Sequence, residues 1–234
     1  PALAAMLPNP ELSHMARYAL EVMPYPEAGK ALRDALAKTS GTCKMGVIMS
    51  LGARRDAAAV DLLAPALRDG DVNVARAAAG SLGRIGTPAA ADALTAFTKE
   101  EHENVRTALT EGLLAAAERL AKDGNTERAI AVYDMLLDPS QQMSVRMGAF
   151  RGAAAAQPQA APDRLLAALA GEEPQFRDLA AQIVAETKEA TDRYAAALPT
   201  LSPEGQVALL RGLAGRKDAA ARPAVEQALG SGDA

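Results

Sequence analysis

A single ten-residue phrase recurs along this chain, and a chain built on such a repeat can bury its apolar surface only by stacking each unit on the next. The phrase opens on an apolar residue, often carries a base in the next two places, holds small residues at its fourth and eighth places, and has an apolar ninth. Its clearest copy is Val74-Ala75-Arg76-Ala77-Ala78-Ala79-Gly80-Ser81-Leu82-Gly83. Other copies begin at Met15, Cys43, Val105, Val145, Phe176 and Gly205, so successive starts lie 28, 31, 31, 40, 31 and 29 residues apart. Between copies runs a second helical stretch. After the Val74 copy comes Gly86-Thr87-Pro88. Gly86 suits the left-handed position past a helix end, Thr87 an N-cap, and Pro88 the first helical position. Each repeat therefore reads as a helix, a tight turn, a returning helix and a short link. About seven such pairs make an all-α solenoid. Pro65, inside one second helix, predicts a kink or an early boundary there.

The fourth and eighth places share one face of a helix. Five copies put two small residues there: Gly46 and Ser50, Ala77 and Ser81, Ala108 and Gly112, Gly148 and Gly152, Ala208 and Gly212. Glycine inside a helix costs about 1 kcal/mol relative to alanine, so its repeated use predicts close approach between helices on this face. The ninth-place residues Leu51, Leu82, Leu113, Val184 and Leu213 should be almost fully buried. Composition agrees. Trp is absent and Phe and Tyr number 3 and 4, which leaves a core built by bringing Ala-rich backbones together.

The phrase, with its ending Leu82-Gly83-Arg84-Ile85-Gly86, resembles the HEAT-like repeats also found in phycobilin lyase subunits. The resemblance is strongest over 41–100, good over 11–156 and weaker beyond. It implies a right-handed α–α superhelix of armadillo-like type, with second helices on the concave side and first helices on the convex side. The fourth unit departs from the pattern: its first helix is longer, and residues 116–139 resemble a tetratricopeptide helix pair, which accounts for the 40-residue step. The opening LSHMARYALEVMP resembles bacterial exported HEAT-repeat proteins, some of which are joined to sugar-active or cytochrome domains. That resemblance favours an exported or periplasmic location over a cytoplasmic one. Residues 1–230 read as one solenoid, with 1–10 the remnant of a preceding helix and 231–234 a flexible tail.

Charge and motif content narrow the function. The formal charge is −4, and residues 1–100 hold 11 bases against 10 acids, so no basic block exists to meet a phosphate backbone. No run approaches the roughly 18 apolar residues of a membrane span. The lone Cys43 excludes an intrachain disulfide and replaces the valine of the first place, which makes it a core thiol. His14 and His102 lie about three repeats apart and could not share a metal, whose sites need three or four converging ligands. Acidic groups such as Glu100-Glu101-His102-Glu103 and Glu172-Glu173 fall at inter-repeat turns, where they favour the positive ends of helices. No phosphate loop, dinucleotide fingerprint or nucleophile elbow occurs. The chain is accordingly expected to be no enzyme and to need no metal or cofactor.

What remains is binding. The arginines Arg17, Arg76, Arg106, Arg146 and Arg177 recur near the start of the phrase, and the expectation is that they reach neighbouring carbonyls or acids and fix the stacking. The outward polar residues of the second helices mix both signs: Lys30, Arg33 and Asp34; Asp61 and Arg68; Asp92 and Thr95; Arg128, Tyr133 and Asp134. Such a face suits a protein or peptide, or another domain of the same full-length product, better than a polyanion. Arg33, Arg68, Arg128 and Tyr133 are the expected anchors of a protein-binding scaffold, and Arg33 is expected to be solvated. The alternatives are an accessory HEAT domain of a larger sugar-active or redox enzyme whose catalytic domain lies outside this chain, and a chromophore-lyase-like subunit.

Overall fold

A computed structural model of the chain describes residues 1–98, 103–216, 220, 222, 223, 225 and 226. Among these residues the regular structure is helical throughout, and the chain divides into two compact units, Pro1–Gln141 and Gln142–Ala234. The first holds α1 (Ala2–Met6), α2 (Ser13–Val22), α3 (Pro26–Leu36), α4 (Gly41–Ala53), α5 (Val60–Leu63), α6 (Val72–Ile85), α7 (Pro88–Phe97), α8 (Glu103–Lys122) and α9 (Thr126–Leu136). The second holds α10 (Met143–Ala156), α11 (Ala161–Ala170), α12 (Pro174–Glu186), α13 (Thr191–Ala197) and α14 (Pro203–Arg216). Repeats pair α2 with α3 and so on to α12 with α13, with α14 opening the seventh. The long first helix expected of the fourth unit is α8, 20 residues in length.

The third repeat shows how local sequence sets these bounds. Asp71 caps α6 by accepting a hydrogen bond from the Asn73 N–H, and Gly86 ends it with φ of 62°, a left-handed conformation that costs glycine nothing. The Thr87 side chain then accepts from the Ala90 N–H, with Pro88 at the first position of α7. Pro65 acts as its missing N–H requires: α5 stops at Leu63, and Pro65–Arg68 continues as a 3₁₀ turn.

Within the first unit the first helices α2, α4, α6 and α8 stack in order. The small residues of the phrase are what lets them. A Cβ built on Gly83 would lie 2.6 Å from the Gly112 carbonyl oxygen and 2.8 Å from its Cα, and one on Gly112 would lie 2.7 Å from the Ala79 oxygen. One repeat earlier, a Cβ on Gly52 would lie 2.8 Å from Ser81 Cα. The tenth place of the second and third copies thus meets the eighth place of the next. In the second unit the eighth-place Gly212 approaches Ala181 in the same way, at 2.7 Å from its oxygen. The ninth-place residues Leu51, Leu82, Leu113, Val184 and Leu213 are all buried.

Arginines tie successive repeats together. Gly46 leaves room for the Arg17 guanidinium, which donates to the Gly46 carbonyl at 3.2 Å. Arg146 donates twice to Glu173, at 2.8 and 2.7 Å, and lies over the Phe176 ring at 4.8 Å. Those hydrogen bonds hold the Glu173 carboxyl below its ordinary range. Arg177 donates to the Gly171 carbonyl at 2.8 Å. The expected stacking role therefore holds for these members of the series.

Two further arginines escape the phrase. Arg54 donates to the carbonyls of Leu20, Glu21 and Met23 at the end of α2. Arg216, itself buried, donates to the Val184 and Glu189 carbonyls and the Thr191 hydroxyl beyond α12. Each satisfies carbonyls that a helix end leaves unpaired.

The packing predicts a large penalty at the seam. Leu82→Ala should destabilise the protein by about 2–5 kcal/mol in chemical denaturation, while Lys38→Ala, on an exposed side chain, should change it by less than about 0.5 kcal/mol.

Candidate interaction surface

The second helices α5, α7 and α9 are neighbours in the first unit, and their outward residues form the face that the sequence singled out. Its charges are matched before any partner arrives. Lys30 pairs with Asp34 along α3, and this hydrogen bond, more than any other cause, lowers the Asp34 pKa from its ordinary 3.8. Arg33 pairs with Asp56 in the turn before α5. Arg128 of α9 pairs with Asp92 of α7, both exposed, which joins two successive second helices. Arg68 lies over the Phe97 ring, 5.1 Å from its centroid. The face is therefore close to neutral, patterned in both signs, and includes the exposed Leu62.

Two of the expected anchors differ from the sequence reading. Tyr133 is only 3 % exposed. It belongs to the stripe Ala129, Val132, Tyr133 and Leu136, spaced three and four apart, which α9 turns inward. Burial, with the charge of Glu118 adding to it, pushes the phenol pKa up to about 12. The ring is a core element and offers nothing to a partner. Arg33, expected to be solvated, is half-buried beside a nearly buried Asp56 carboxylate, which also accepts from the Ala58 N–H at 3.1 Å. It braces α3 against the next repeat. Arg68 and Arg128 remain exposed at their ends of the face.

Of the remaining candidates, Cys43 is a buried free thiol, as its first-place position implied. His102, Glu100 and Glu101 lie outside the described residues, as does the 231–234 tail. Among the described residues no group of three or more His, Cys, Asp or Glu is placed to hold a metal ion. No helix of those residues is long and apolar enough to cross a membrane.

Stacked helix pairs of near-constant period, joined by short turns and sealed by a small-residue seam, define an all-α repeat solenoid. Residues 30–114 match the family model for HEAT repeats, and the helix pairs of that segment are HEAT-like repeats. No curated protein matches it. Several solved structures are similar to it, two of which illustrate the likeness. One is the complex of CpcE and CpcF of phycocyanin lyase from Nostoc, at 21% identity over 96% of this chain and 91% of that one, with a TM-score of 0.47. The other is human deoxyhypusine hydroxylase in complex with glycerol, at 21% identity over 99% and 90%, with a TM-score of 0.46. These comparisons correct one reading of the sequence. The chain was expected to be no enzyme because it lacks a catalytic motif, yet both similar proteins are named as enzymes. Absence of a familiar motif from helical repeats is no ground for that exclusion.

The revised placements carry a prediction. Tyr133→Ala should cost about 3–5 kcal/mol of stability, as for other large core aromatics, and Arg33→Ala about 1 kcal/mol, because it strands the Asp56 carboxylate. A solvated pair of anchors would show neither loss in urea denaturation.

Proposed function

We propose that the chain acts as a protein-binding scaffold, with its partner lying across the second-helix face of residues 27–137. The observation that carries this reading is the run of second helices that spans the segment matching HEAT repeats and extends beyond it into α9, with outward residues of both signs linked from one repeat to the next by Arg128 and Asp92. Ion pairs held in this way keep the side chains extended along the surface, so a protein ligand meets an ordered row of donors and acceptors. A polyanion would need unmatched bases, and here the bases have acids or rings as neighbours. Arg68 and Arg128 are the anchors in this reading, since arginine supplies contact area together with directional hydrogen bonds. Residues 1–230 serve as one interaction module, and the export implied by the opening phrase goes with it.

The test is capture of partners from the source organism by the immobilised chain. Arg68→Glu combined with Arg128→Glu should weaken capture at least tenfold, about 1.4 kcal/mol. Both side chains are exposed, so the melting temperature should fall by no more than a few degrees. If capture survives that reversal but is lost when the first-helix residues Glu111 and Arg151 are changed, binding lies on the first-helix side and this assignment of the face is wrong.

A further inference from the structure

The first helix of the first repeat carries an apolar stripe that none of the described residues covers. Met15, Tyr18, Val22 and Tyr25 are 68%, 63%, 72% and 64% exposed. Met15, Tyr18 and Val22 are spaced three and four residues apart, which is the spacing of one helical face, and Tyr25 lies in the extended link just past the end of α2. Leu12 extends the patch at its N-terminal end. Single exposed apolar residues are ordinary, but five large ones on and beside one short helix mark an interaction site.

The register of the phrase says what kind of surface this is. Tyr18 and Val22 occupy the fourth and eighth places, and Tyr25 the eleventh, counting from Met15. In later repeats these same places receive the preceding first helix: Gly46 receives Arg17, Ser81 receives Gly52, Gly112 receives Ala79 and Gly83, and Gly215 receives Ala185. The α2 stripe is the receiving half of the stacking interface that continues through α4, α6 and α8. The giving half uses the third, sixth and tenth places, as Arg17, Ala79, Gly83, Ala181 and Ala185 show.

On α14 those three places are Val207, Leu210 and Ala214. Val207 is 57% exposed, Ala214 is exposed and Leu210 is half-buried. This giving face is therefore apolar and small at its tenth place. Bulk on one helix against a small residue on the other is a pairing the chain already uses between α12 and α14, where a Cβ on Gly212 would lie 3.1 Å from Val184. The large Val22 and Tyr25 opposite Ala214 would repeat it with the sides exchanged.

We propose that the chain self-associates head to tail, the α14 face of one copy seating on the α2 face of the next, so that the stacking series runs on from molecule to molecule. The contact uses a different patch on each copy. It is heterologous, and growth continues past a dimer unless the assembly closes into a ring.

Sedimentation velocity of the 234-residue chain from micromolar to millimolar concentration tests this. The wild type should pass from monomer to dimer and larger species as concentration rises. Tyr18→Glu and Val207→Glu, each at an exposed position where glutamate suits a helix, should each raise the apparent dissociation constant at least tenfold. Mixing the two variants should restore a contact of wild-type strength, because one keeps an intact α14 face and the other an intact α2 face, and assembly should then stop at the dimer. A wild type that stays monomeric to millimolar concentration would overturn the proposal and assign the α2 stripe to a different protein. Undiminished association of Val207→Glu would overturn it as well, in favour of symmetric pairing of α2 with α2.

Discussion

Close contact of backbone with backbone between successive first helices is the constraint on which the rest of this structure depends. At Gly83 and Gly112 no side chain separates the two helices, and even one added carbon would lie within van der Waals overlap of the neighbouring main chain. A chain with so few large aromatics has little bulk with which to fill a wider gap. Alanine and glycine seams let Leu82 and Leu113 reach full burial and keep dispersion contacts short, at the cost of glycine inside helices. The pairing of second helices, the order of the exposed charges and the uncovered stripe at the first repeat all follow from where that seam runs.

Much of this was legible before any coordinates. The period fixed the helix pairs, and the ninth-place leucines sit where the phrase put them. The Gly86-Thr87-Pro88 turn reads off the residues because each has one conformational role available to it and the three roles agree. Contacts between repeats were less legible. Arg33 with Asp56 and Arg128 with Asp92 depend on the spacing of separate helices, and nothing in the linear pattern reports that distance. Tyr133 is a different case. Its inward position follows from the spacing of Ala129, Val132 and Leu136, and a phenol, apolar over most of its surface, fits that stripe. Arg54 and Arg216 share the twelfth place of their copies but occur in two copies alone, too few to stand out as a rule.

The uses of arginine divide along the same line. Those near the start or end of a first helix work inward, on carbonyls, acids and rings of the adjoining repeat: Arg17, Arg54, Arg146, Arg177 and Arg216. Those on the second helices work along the surface, and Arg68 and Arg128 keep their exposure while doing so. A repeat protein needs both kinds, because the seam gives cohesion without identity and the exposed rows give identity without much cohesion. The open α2 stripe belongs to the seam by register and to the surface by exposure, which is why it reads as a place for a stacking partner.

The glycines of the seam are required by contact and not merely tolerated. Gly80 and Gly83 lie three residues apart in α6, and only the second faces a neighbouring backbone: a Cβ at Gly80 meets nothing within 4 Å. Chemical denaturation of Gly80→Ala and Gly83→Ala compares them directly. The account predicts opposite signs, with Gly80→Ala stabilising by up to about 1 kcal/mol through helix propensity and Gly83→Ala destabilising by about 1–3 kcal/mol through overpacking against Gly112. Stabilisation by both substitutions would mean that the helices can part at no cost, and the seam would not be what holds the repeats together.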